Sequence, residues 1–336
     1  MVKMSKATKW TVLGTMIVAI LLPFIVPQTN YWMGTILIPF CYYTILSESL
    51  NLLQGYTGQM SLGHNSFMCI GAYSFSIFTV NFKFPGSQLV GIALAIVIPF
   101  IFGLFIGLAC SRLSAIFLGM ATGAFAKALK AFLVQEKWLT GGANGLTNIP
   151  KMKLFGMDQL KTAQYNKILY FFALAAAFVI VMMCWRLVNS KTGRAFRAIR
   201  NSEVAAAAMG INVTGYKFLV CGISAAMAGF AGVLYSWDFS YISADMFDKL
   251  GIKLLTMTVT GGMGTIPGPI IGAVIMGYLP EALRFLGQQL EMVYGVMIIV
   301  VFMFIPTGFL GAFNSLRDFV VKKIFKRPGK VNAEVE

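Results

Sequence analysis

The sequence predicts an all-α, polytopic membrane protein of about ten transmembrane helices with both termini in the cytoplasm, and three observations carry that prediction. Hydrophobic residues make up 58% of the 336 and charged residues 12%, with a mean hydropathy of +0.77. A soluble chain holds about 25% charged residues, so water is the wrong solvent here. Apolar runs of roughly 20 residues, the length that crosses a bilayer core, follow one another almost from end to end. Finally, 27 Lys and Arg stand against 12 Asp and Glu, a net +15, and the positives gather in tails and alternate loops. In a soluble protein such a balance would suggest nucleic acid. Here it sets orientation and dwells on membrane lipid, and no nucleic-acid partner is expected.

Taken in order, the spans fall near Trp10 to Val26, Tyr31 to Leu53, Gln59 to Val80, Gln88 to Cys110, Leu113 to Gln135, Lys167 to Leu187, Tyr216 to Trp237, Gly251 to Gly262, Ile270 to Phe285 and Met292 to Phe309. The first follows Lys3, Lys6 and Lys9 and imitates a secretory signal, but the VPQTNYW behind it lacks a small-x-small cleavage site, so it reads as a retained helix. With the N-terminus inside, this count puts the segment Arg186 to Lys217 in the cytoplasm, where Arg186, Lys191, Arg194, Arg197, Arg200 and Lys217 oppose only Glu203. The basic tail at about 315–336 falls on the same side, and the loop Asp238 to Lys249, with Asp238, Asp245 and Asp248, falls outside. The mildly basic loop Glu136 to Lys161 pulls weakly the other way. Residues 1–336 thus form a single transmembrane domain with a cytoplasmic loop at about 189–216 and a short basic tail.

Two spans are interrupted by backbone breakers, at GYTGQMSLG (Gly55 to Gly63) and at GGMGTIPGPIIG (Gly261 to Gly272). Within membrane depth, such segments leave backbone groups unpaired unless they line a polar cavity or pack against neighbours. They are therefore candidates for a transport site, with short cytoplasmic turns as the alternative. Around the first break, Gln59, Ser61, His64 and Asn65 supply uncharged hydrogen-bonding groups suited to a translocation path that must not trap its solute. His64 also fits a plain helix-end hydrogen bond.

The chemistry of energy coupling is missing from the chain. Gly58 to Gly63 has the G-x-x-x-x-G spacing of a P-loop, but His64 and Asn65 stand where its Lys and hydroxyl belong. A single histidine and five cysteines (Cys41, Cys69, Cys110, Cys184, Cys221), all inside apolar runs, form no metal-ligand pattern, so no cofactor and no metal are expected. Glu48 is the one acid well inside a span, thin support for a proton relay, and reads as bonded to a neighbour. No catalytic dyad is evident, and the chain reads as a non-enzyme.

The segment Asn189 to Lys217 is Ala-rich and free of Pro between Gly193 and Gly210, which predicts a helix there. Arg194, Arg197 and Arg200 recur every third residue beside Phe196 and Ile199, and Arg200 is placed to pair with Glu203. Such a basic, amphipathic surface helix docks on lipid headgroups or on a partner protein.

Four segments together, LNLLQGYTGQMSLGHNSFMCIGAY (Leu50 to Tyr73), LTGGANGL (Leu139 to Leu146), KTGRAFRAIRNSEVAAAAMGINV (Lys191 to Val213) and VTGGMGTIPGPIIGA (Val259 to Ala273), resemble the LivM-type permease of bacterial branched-chain amino acid ABC importers. The resemblance implies a multi-pass permease of the bacterial plasma (inner) membrane that carries leucine, isoleucine and valine. It implies as partners a second, LivH-like permease subunit, two ABC ATPase subunits and an extracytoplasmic solute-binding protein. It also implies an ATPase-coupling role for Arg194, Arg197, Arg200, Glu203 and Gly210, the last two within a degenerate E-A-A…G pattern. One departure stands out. The family pattern L-A-F-G-E-I-x-R in the fifth span is here GAFAKALK, Gly123 to Lys130, so Lys127 replaces an acid three residues from Lys130. Two like charges at that spacing repel and must face a cavity, a partner or an interface, and the change leaves urea or short amides open as alternative solutes.

Overall fold

In a computed structural model, residues 30–110, 115–152 and 162–283 are described, with scattered positions between 285 and 311. The principal helices are α1 (Met33–Gly55), α2 (Asn65–Asn81), α3 (Ser87–Cys110), α4 (Ala115–Gln135), α5 (Thr162–Asn189), α6 (Lys191–Asn201), α7 (Glu203–Ala208), α8 (Val213–Phe239), α9 (Ala244–Gly261) and α10 (Pro267–Ala282). Among the described residues there is no strand, only an isolated antiparallel bridge between Leu146 and Ile242. Helices α1, α3, α4, α5 and α8 are each long and apolar enough to cross a bilayer, which makes this a multi-pass membrane protein. The expected span at Trp10 to Val26 lies outside the described residues, as do half of Met292 to Phe309 and the basic tail.

Which helices lie inside follows from their polar content. Helix α1 carries Thr44, Ser47, Glu48, Ser49 and Asn51, groups that lipid cannot satisfy, and all are buried in protein. Helix α3 has no polar side chain from Val90 to Cys110 and turns Phe105 and Leu108 outward. Helix α8 runs through the middle against α1, α2 and α3. Its contacts are made by small residues, as expected where apolar burial alone gives helices no preference for each other over lipid. A Cβ on Gly71 of α2 would lie 2.4 Å from the backbone of Gly229, and Ser76 Oγ donates to Ser236 Oγ at 3.3 Å, so α2 and α8 run side by side in one direction. Pro99 deprives the Ala95 carbonyl of its helical donor, and that carbonyl lies against Gly229.

Two boundaries differ from the sequence expectation. Helix α9 begins at Ala244 rather than near Gly251, with Asp245 in its first turn, where an acid complements the helix dipole. Asp248 is thereby a helix residue rather than a loop residue. Helix α2 begins at Asn65 rather than Gln59, and the stretch it gives up is the first Gly-rich break.

Candidate functional site

Helix α1 closes in a π-helical segment, Asn51–Gly55, a geometry frequent at functional positions. Gly58 then takes φ +72°, which a residue without Cβ adopts freely, and the chain runs without helix to His64. This run turns back into the protein. Ser49 Oγ and His64 Nε2 are 2.9 Å apart, and Ser49 lies six residues before Gly55, about 9 Å along the helix axis. Because Gly71 packs on Gly229, well inside α8, the start of α2 falls near the middle of that helix. The run is held by backbone contacts: Leu62 N donates to Thr122 Oγ1 at 3.1 Å, and a Cβ on Gly63 would lie 1.9 Å from the Thr122 carbonyl.

A cavity of about 610 Å³ opens between this run, α1, α4 and α9. Ser61, His64 and Asn65 line it, and each is buried with one polar atom lacking a hydrogen-bond partner: Ser61 Oγ, His64 Nδ1 and Asn65 Oδ1. The other end of Asn65 is fixed, since Nδ2 donates to the Phe247 carbonyl at 2.8 Å. An unpaired buried polar atom costs about 1–3 kcal/mol, so three on one wall mark a surface built to meet something polar. Gln59 is not part of this wall. Its Oε1 accepts from Cys221 Sγ of α8 at 3.6 Å, so the structure brings together three of the four expected path residues.

The structure answers the lysine problem of α4. Lys127 Nζ lies 2.7 Å from Asp248 Oδ1, and Lys130 Nζ lies 2.9 Å from Asp248 Oδ2 and 2.6 Å from Asp245 Oδ1. The two lysines share carboxylates of α9 instead of repelling each other across a bare helix face. Lys127 and Asp248 also line the cavity.

The second break, Gly262 to Ile266, is a short turn between α9 and α10, which pack on each other so closely that a Cβ on Gly261 would lie 2.0 Å from the Gly268 carbonyl. It meets the first break through Asn51. Asn51 Oδ1 accepts from Gly264 N at 2.8 Å, and Nδ2 donates to the Thr265 carbonyl at 2.9 Å and to Glu48 Oε2 at 3.3 Å. Asn51 is thus the missed residue of this site. A buried polar residue four before Gly55 was a signal, but nothing in the sequence joins it to position 264.

The loop after α5 is two helices, not one. Ser202 is extended (φ −164°, ψ 118°) and its Oγ accepts from Ala205 N at 3.2 Å, capping α7. The three arginines all lie on α6 but make different contacts. Arg194 is exposed, Arg197 Nη2 donates to the Val188 carbonyl at 3.2 Å, and Arg200 Nη1 donates to the Gly55 carbonyl. Glu203 pairs with Lys217 at 2.6 Å rather than with Arg200, because the break at Ser202 removes the shared turn. Helix α7 and its end leave two large apolar side chains exposed beside Glu203: Val204 is 81% exposed and Met209 70%, and Gly210, at φ +78°, ends the segment.

No solved structure matches the chain. The chain is 26% identical over 322 residues to the high-affinity branched-chain amino acid transport system permease protein LivM of Salmonella typhimurium, an alignment covering 90% of this chain and 75% of the relative. The LivM protein of Escherichia coli matches to the same extent. The LivH permease protein of Escherichia coli is 38% identical over 125 residues, 36% of this chain and 40% of the relative. The sequence model of the branched-chain amino acid transport system permease component matches residues 32–305, and the chain belongs to that family.

Proposed function

We propose that the chain is the transmembrane permease subunit of an ATP-binding cassette importer for leucine, isoleucine and valine in a bacterial inner membrane. The observation that carries this reading is the family match over residues 32–305, supported by LivM relatives aligned over 90% of the chain. The energy enters from partner ATPases, a second permease completes the pathway, and a binding protein delivers the solute. Solute passes beside the first Gly-rich break, along Ser61, His64 and Asn65. At the coupling loop, Arg194 with Val204 and Met209 meets the ATPase, while Arg197, Arg200 and Glu203 hold the loop in shape and Gly210 ends it. The test is reconstitution of the chain with those three kinds of partner in proteoliposomes. ATP-dependent leucine uptake is expected. Uptake of urea or acetamide in its place would overturn the substrate, and leucine uptake driven by an ion gradient without the ATPases would overturn the class.

The same reading fixes a topology of ten spans with both termini and the 189–216 loop in the cytoplasm. In intact cells, Ser202→Cys should resist an impermeant thiol reagent and Thr147→Cys, exposed beside the Leu146–Ile242 bridge, should react. The reverse pattern would invert the assignment.

A further inference from the structure

The cavity beside the start of α2 carries charges in the arrangement that an amino acid carries them. Its polar side presents Ser61, His64 and Asn65, each more than nine-tenths buried and each with an unsatisfied atom. Helix α2 begins there, and a helix start within membrane depth favours a negative group. Opposite charges stand on the same cavity, Lys127 from α4 and Asp248 from α9; among the described residues they pair with each other, and Asp248 pairs also with Lys130, which reaches Asp245. The Lys127 side chain is 71% exposed, so its pairing is open to exchange. Leu50, Ile252 and Leu255 give the remaining wall an aliphatic surface.

We propose that this cavity is a binding site for one zwitterionic α-amino acid, whose carboxylate takes Lys127 and the start of α2, whose ammonium takes Asp248, and whose branched side chain lies on the aliphatic wall. The proposal rests on the amino-acid transport reading and names the residues that recognise the solute. Its physical basis is charge balance. A zwitterion brings one cation and one anion and displaces one ion pair, so every charge of the site keeps a partner of opposite sign. Lys130 keeps the second Asp248 oxygen, and α4 therefore stays attached while Lys127 changes partner. Urea and short amides carry no charges with which to replace the pair. Lys249, exposed at the rim, adds a positive charge without a place in this exchange.

The experiment uses the complete complex in proteoliposomes without binding protein, with Ile252→Cys as reporter, since Ile252 is half exposed on the cavity wall one turn from Asp248. The unaltered complex supplies the labelling background; Cys41, Cys69, Cys184 and Cys221 are buried. Millimolar leucine should slow thiol labelling, whereas urea, 4-methylpentanoate (carboxylate only) and 3-methylbutylamine (ammonium only) should not. Asp248→Asn frees Lys127, so 4-methylpentanoate should become protective while leucine's half-protecting concentration rises about tenfold, the loss of one charge-assisted hydrogen bond. Lys127→Met should make 3-methylbutylamine protective in the same way. A merely structural ion pair would not exchange its solute preference by charge. Lys127→Arg and Asp248→Glu, which keep both charges and guard against misfolding of the first pair, should shift leucine's half-protecting concentration by about threefold or more. The site is refuted if leucine fails to protect, if the solute pattern is the same in all variants, or if the charge-conserving variants match the parent. Leucine uptake with binding protein is measured on the same membranes. Its absence in the unaltered complex refutes the transport reading, whereas normal uptake without these protection patterns refutes the site alone.

Discussion

Asn51→Leu is expected to destabilise the protein by about 3–5 kcal/mol, because the buried amide holds the α9–α10 turn to α1 and its loss leaves the Gly264 N–H and the Thr265 carbonyl without their partner. Leucine matches asparagine roughly in volume, so packing is a minor part of the effect. The close approach of Gly55 to Gly264, where a Cβ on Gly55 would lie 2.5 Å from the Gly264 nitrogen, depends on the same clamp. Thermal unfolding in detergent, followed by monodispersity, measures it. A midpoint within about one degree of the parent would show that the two Gly-rich segments hold together without Asn51.

Arg200→Ala should cut ATP-driven uptake about 10- to 100-fold while the ATPases still copurify. Its guanidinium donates to the Gly55 carbonyl, its stem lies over Gly58, and a Cβ on Gly264 would meet Nη1 at 2.5 Å. One side chain of the loop thus touches both Gly-rich segments, and a hydrogen bond from a charged donor is worth about 1.5–3 kcal/mol, which sets that range. Arg194, exposed and without such a contact, serves as the comparison: Arg194→Ala should weaken copurification more than it alters the ATP consumed per leucine carried. Uptake unchanged in Arg200→Ala would leave the arginine a surface anchor with no part in coupling.

The apolar runs were legible because each described span is a continuous stretch of side chains that water disfavours, and α1, α3, α4, α5 and α8 fall where those runs predict. The start of α2 was not legible. Gln59 to Gly63 is compatible with a helical span by hydropathy, and it is non-helical where Leu62 and Gly63 meet Thr122, a contact between residues far apart in sequence. Ser61, His64 and Asn65 could be named from the sequence because breakers and polar groups coincide. Gln59 could not be separated from them, since its turn toward Cys221 depends on where α8 lies. Lys127 and Asp248 are 121 residues apart, and a lysine where an acid is usual reads locally as an unpaired charge. The alanine content between Gly193 and Gly210 suggested one continuous helix, while the competing signal, Ser202 ahead of Glu203 as a helix start, was present and outweighed.

Helix α4 turns Phe117, Met120 and Phe132 outward and touches the rest of the protein through Thr122 and the glycines beside it, through Phe125, Leu129 and Leu133 packed on the core, and through the charges near its far end. In a bilayer, a helix that trades protein contact for lipid chains gives up little, since both are hydrocarbon. Those apolar contacts are therefore the exchangeable part of what holds α4, and the ion pairs, which lipid chains cannot replace, are the part that resists, as a door is held by its bolt and not by its panel. A swing of α4 would then depend on membrane thickness and tension only weakly, and on whatever competes for those charges strongly.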